Sequence, residues 1–254
     1  MGTTAVAPAP PPGGEPAKIG AFGRITGVLF SPGATFEDIA RKPSWFLPMV
    51  IMIILNLGVT ALIVKKVDWA TMIRNQIESS SASSQLTEEQ KEQRIAVGAK
   101  VAPYFAWAAG ILGIPIFTLI VTLAYWLGFN LLKGAGLKFG TAFGIVVHAM
   151  VPTILAFILT GIILYLKPAD EINPDPSRMA ATSLAAFLPS TAPKWLVSLG
   201  GSLDIFWFWC LALLGIGFAA ANPRKITKGG AFGVVIGMWI VWLLIKVGWA
   251  AAFS

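Results

Sequence analysis

Five stretches of this chain are apolar for too long to be hidden in a soluble core. The first covers about 44–65, from the SWFLP run to the lysine at its end. A helix needs about 20 such residues to cross the hydrocarbon of a bilayer. The others lie at about 104–132, 141–166, 196–221 and 232–253. The expected fold is therefore an all-α membrane protein: a five-span transmembrane helix bundle with an N-terminal amphipathic interfacial helix. Hydrophobic residues make up 56% of the 254 and charged residues only 12%, against about a quarter charged in soluble proteins.

The chain divides into three parts. Residues 1–17 (MGTTAVAPAPPPGGEPA) form a Pro/Ala/Gly tail with no apolar core, so it reads as disordered and not as a signal peptide. Residues 18–43 form an amphipathic pre-membrane segment, and 44–254 the five-helix transmembrane domain. Within the second part, Ile19, Phe22, Ile25, Val28 and Leu29 recur at helical spacing, broken by Ser31-Pro32-Gly33. Thr35 with Asp38 resembles a capping box opening a short helix whose apolar face carries Phe36, Ile39 and Ala40. Pro43 ends it. Phe30, Pro32, Phe36, Arg41, Lys42, Pro43 and Trp45 together suggest a platform at the membrane interface, or else a plain linker into the first span.

Two polar stretches interrupt the spans. In the first, Trp69, Ile73 and Ile77 share a helical face. SSSASS at 79–84 reads as a hinge, and Thr87 with Gln90 starts another helix. Pro115 predicts a kink in the second span, where Ala106, Ala109, Gly110 and Gly113 offer a close-approach face. In the second stretch SLAAFLP is apolar but too short to cross.

The net charge of +7 does not point to nucleic acid. The cations stand singly or in pairs at the ends of apolar runs, which suits anionic head groups and the positive-inside effect. The two short loops, LKGAGLKFG and NPRKITKGG, carry lysine and arginine but no acid. That favours a cytoplasmic N-terminus in a bacterial cytoplasmic (inner) membrane.

Nothing spells out a reaction, so no catalytic residue, cofactor or metal is expected. The single cysteine, Cys210, and single histidine, His148, cannot make a disulfide or a Cys/His metal site. No G-x-S-x-G elbow occurs, and GAGLKFG lacks the spacing of a phosphate loop. Asp204 and Lys246 are charged at membrane depth. Counted from the loop at 222–229 they reach similar levels on antiparallel helices, so they are expected to pair or share a polar pocket, or each to snorkel to water. Asn56 and Asn130 read as interhelical hydrogen-bond formers, and His148 as bonding either a neighbouring helix or a backbone carbonyl loosened by Pro152. Gly229, Gly233 and Gly237 form a G-x-x-x-G face for close packing, within the monomer or in a dimer.

The run Phe30-Ser31-Pro32, then Phe36, then KPSWFLP from Lys42 to Pro48, resembles the pre-membrane opening of the bacterial branch of the Yip-one domain family (Ypt/Rab-interacting proteins). His148 to Pro152 and DIFWFWCLALLGIGFAAA are similar to its later spans. The resemblance implies a five-span bundle with a cytoplasmic N-terminus. Eukaryotic members are associated with Rab GTPases; no residue here marks such a site, and the family supplies no catalytic residues. The expected function is that of a non-enzymatic adaptor or organiser. It would act through membrane lipids and a protein partner at the N-terminal segment, with self-association open. The alternative is a small transporter or channel with a polar path through Asp204, Lys246 and His148.

Overall fold

A computed structural model describes residues 19–78, 80, 83–172, 178 and 182–252. The predicted tail and part of the serine-rich hinge lie outside these. The described residues are helical, with no named strand: α1 (Ala21–Phe30), α2 (Pro32–Arg41), α3 (Phe46–Lys66), α4 (Trp69–Glu78), α5 (Glu88–Lys133), α6 (Phe139–Ala149), α7 (Pro152–Leu166), α8 (Lys194–Ser202), α9 (Ile205–Ala221) and α10 (Lys228–Ala252). Four candidate spans are long and apolar enough to cross a membrane: α3, α5, the α6–α7 pair and α10. The apolar α9 has only 17 residues.

Two of the expected spans are broken. The third is two helices end to end. Pro152 takes the first-turn position of α7, where its missing N–H costs nothing, and the chain steps at Met150-Val151. The fourth breaks at Leu203, and Asp204 opens α9. In contrast, α5 runs through Pro103 and Pro115 for 46 residues, about 69 Å at the rise of an α-helix. The Thr87–Gln90 box caps its start, with the amide of Gln90 donating to Thr87 Oγ1 at 3.2 Å and the amide of Thr87 to Gln90 Oε1 at 3.0 Å.

The helices run between two faces. The near face holds the turns at 134–138 and 222–227; the far face holds the polar stretches. At the near face Asn130 anchors its own loop: it accepts from the amide of Leu137 (2.7 Å) and donates to the carbonyl of Leu137 (3.1 Å). It therefore ties a loop where an interhelical bond was expected. Asn222 Nδ2 donates to Ala135 O (2.9 Å) and Lys225 Nζ to Gly134 O (2.7 Å), joining the two turns. Gly134 and Gly136 take positive φ there, which this tight turn requires. At the far face α4 continues beside the start of α5, held by Arg74–Glu92 at 2.8 Å. Lys66 Nζ donates to the carbonyls of Tyr165 and Lys167, closing the end of α7.

The core lies toward the near face. Phe129 stacks on Phe218 at 4.3 Å, among Ile145, Val146, Leu214 and Val235, all fully buried. Here α2 packs on α9 and α6, and Phe36 and Ile39 are wholly buried. The contact is possible because Gly217 has no side chain. A Cβ there would come within 2.6 Å of Ile145 and 2.9 Å of Phe36.

Candidate functional site

The most constrained polar group in the near half is Arg24. It is 6% exposed, on a helix that otherwise shows little charge. Burial of a guanidinium requires partners for its donors. Nε donates to Asp38 Oδ2 (2.8 Å), NH1 donates to Lys42 O (2.9 Å) and to Ser44 Oγ (2.6 Å), and NH2 lies 2.7 Å from Asp38 Oδ2. One side chain on α1 thus fixes α2, the 42–44 turn and the approach to α3.

This explains why the expected capping box does not form. Asp38 is used by Arg24. The helix starts at Pro32, a turn ahead of the start that an N-cap at Thr35 would give, and Thr35 Oγ1 donates back to Ser31 O at 2.9 Å. Thr35 is also where α1 crosses α2: a Cβ on Gly27 would meet Thr35 Oγ1 at 2.5 Å.

Below this corner runs α6. A Cβ on Gly144 would lie 3.2 Å from Ser44 O and 3.4 Å from Pro43. One turn on, His148 is 1% exposed, with Nδ1 2.8 Å from Gly144 O. Its Nε2 is buried without a hydrogen-bond partner among the described residues. His148 therefore supports the floor of the corner within its own helix, through a backbone carbonyl and not through a neighbouring helix.

The platform residues separate into two groups. Phe36 belongs to the core. Phe30 (82% exposed) and Trp45 (44%) remain outside, with Trp45 edge-on to Phe143 at 5.5 Å. Arg41, paired with Glu37 at 3.7 Å, Lys42 and Pro43 are exposed, and Pro32 is half-buried. Phe22 on α1 is likewise exposed, at 72%. Its helical spacing was legible, but its outward direction was not.

The other polar residues lie elsewhere. Asn56 Nδ2 donates to Gly110 O on α5 at 3.0 Å. Gly110 is buried against Leu57 and Thr60 of α3, whereas a Cβ on Gly113 would meet nothing within 4 Å. Asp204 caps α9, accepting from the amides of Phe206 (2.9 Å) and Trp207 (3.0 Å). Lys246 Nζ donates to Ser202 Oγ at 2.9 Å. The four ion pairs among the described residues do not join Asp204 to Lys246. The two charges meet the same break in the chain, each through another partner. The apolar piece of SLAAFLP folds onto that break: Ser183 bridges Asp204, and Ala185 packs at Gly200. Gly229, Gly233 and Gly237 face open space: a Cβ at any of them would meet nothing within 4 Å.

At the far face Asp68 caps α4 through the amides of Ala70 and Thr71 and the Thr71 hydroxyl. The Thr71 hydroxyl, then its amide, holds the Asp68 carboxyl below its ordinary range. The bond to Glu92 pushes Arg74 up.

A helix opening on Phe-Ser-Pro that is locked back onto a broken, apolar bundle is matched by one family model. The Yip1 domain model covers residues 26–250. The chain belongs to the Yip1 domain family. It is also 25% identical over 223 residues to the membrane protein YknW of Bacillus subtilis (strain 168), covering 87% of this chain and 89% of that one. No solved structure matches it. As a Yip1 domain protein with several apolar helices it is a membrane protein, and the match begins at Thr26, inside α1.

Proposed function

We propose that this Yip1 domain protein is a non-enzymatic membrane organiser that presents a rigid N-terminal platform to a protein partner. The observation that carries the reading is the Arg24 corner. It holds α1 and α2 against the bundle while Phe22 and Phe30 stay exposed. A surface already fixed loses little conformational freedom on binding.

The chain crosses the membrane five times in this reading. The α9 helix, about 25 Å long, supplies the fifth crossing with α8 beyond its break. The N-terminus is cytoplasmic in a bacterial cytoplasmic membrane, because the near-face loops at 132–140 and 222–230 are basic and free of acids. An impermeant maleimide on intact cells then labels Glu89→Cys and leaves Arg224→Cys unlabelled. The transporter alternative gains less support. His148 bonds within α6, Asp204 caps a helix and Lys246 bonds Ser202.

The test is capture of the full chain from native lipid. Deleting 19–43 is unsuitable, because it removes Phe36 and Ile39 from the core. Phe22→Ser and Phe30→Ser change side chains that are mostly exposed and outside the core. A stoichiometric partner lost with these substitutions supports the platform. A partner retained unchanged, or none, overturns it and directs attention to solute flux in liposomes.

A further inference from the structure

The glycine face of α10 is open, and what surrounds it is not neutral. A groove of about 800 Å³ runs between α10 and the end of α5, within the range of about 300–1,000 Å³ usual for ligand sites. Its floor is Gly229, Gly233 and Gly237, and its walls are Leu132, Val234, Met238 and Val241. From Gly229 to Val241 it extends about 18 Å, from the near face into the apolar depth. At its mouth is Lys133, whose Nζ lies 3.6 Å from where a Cβ on Gly230 would stand. Lys133, and Lys228 at the start of α10, make no ion pair among the described residues, and no acid occurs in 132–140 or 222–230.

We propose that this groove binds one anionic phospholipid, with its phosphate beside Lys133 and an acyl chain along the three glycines. The groove has the polarity of such a molecule: cationic for a few ångströms at the mouth, apolar for the remainder. A second copy of the chain fits less well. Copies in one membrane share an orientation, so a two-fold axis along the membrane normal would bring Lys133 and Lys228 of both copies together with no acid between them. The site is independent of the platform proposed above.

The test uses the full chain, purified in mild detergent and given equal phosphatidylglycerol and phosphatidylcholine of the same acyl chains, with bound lipid read by native mass spectrometry. One phosphatidylglycerol is retained in preference to phosphatidylcholine. Lys133→Gln lowers that retention about fivefold, the usual effect of one basic residue at a membrane surface. Lys138→Gln, with the same change in net charge outside the groove, does not. Gly233→Leu fills the groove and removes the retained lipid with no change in thermal melting, because its Cβ meets nothing within 4 Å. Three results overturn the proposal: equal retention of both lipids, equal losses from Lys133→Gln and Lys138→Gln, or efficient Gly233→Cys cross-linking between copies in liposomes, which would give the groove to a second chain.

Discussion

Replacing Arg24 by methionine keeps an unbranched apolar stem and removes the charged guanidinium. It strands three acceptors at once: the Asp38 carboxylate, the Lys42 carbonyl and the Ser44 hydroxyl oxygen. Breaking a buried pair costs about 3–5 kcal/mol, most of it the penalty on the charge left behind. The Asp38 side chain keeps 23% exposure, so water recovers part of that penalty and the lower end, about 3 kcal/mol, applies. The opening that follows is read at Val28, which is wholly buried on α1 and close in size to cysteine. In a Val28→Cys background the only other thiol, Cys210, is buried. Arg24→Met should raise maleimide labelling about a hundredfold, at about 1.4 kcal/mol per decade. Adding Asp38→Leu removes the stranded charge and should reverse much of the effect. Labelling that changes less than about threefold, or a double variant as open as the single, would refute the reasoning.

Three further outcomes follow from contacts at a distance from Arg24. Gly217→Val places a side chain into Phe36 and Ile145 and should destabilise by about 1–3 kcal/mol, read as a lower melting temperature and faster Val28→Cys labelling. Asp204→Ala should cost about 1 kcal/mol through the lost α9 cap. Combined with Lys246→Met it should add to within about 0.5 kcal/mol, and stronger coupling in a denaturant series would mean that the two charges interact directly. The folded pKa of Asp68 is depressed, so its support for α4 is complete above the unfolded value of about 3.9 and is lost as pH falls through the lower folded value. Hydrogen exchange of 69–78, corrected for intrinsic rate, should stay flat from neutral pH to about 5 and rise only below about 4.

The apolar runs, the short helices near 21–41 and 69–78, and the Thr87–Gln90 start were legible because each depends on neighbours in sequence. The breaks at Met150 and Leu203 were not: hydropathy stays high through the first, and the Gly200-Gly201-Ser202 dip at the second reads equally as small residues inside a span. Pro152 was a signal for the first, but Pro103 and Pro115 leave α5 unbroken, so proline alone does not decide. Asp204 looked like a costly charge inside a span; it is a cap at a place where the span stops. Phe36 could face lipid or protein with the same amphipathic pattern. What decides is Gly217, far along the chain, and no local period carries that pairing. The Gly229 ridge was legible as small, yet whether a helix fills it depends on where α5 lies.

The seating of α2 also fixes an order of events during synthesis. Phe36 and Ile39 emerge among the first apolar side chains, but the surfaces that cover them, at Ile145 and Gly217, are made only in the second half of the chain. Until α9 is in place the N-terminal segment has nowhere to close, and its apolar face stays available to chaperones and proteases. Docking of α2 therefore reports that the chain has been inserted through α9, and a chain truncated before α9 should carry an open N-terminus that marks it for removal.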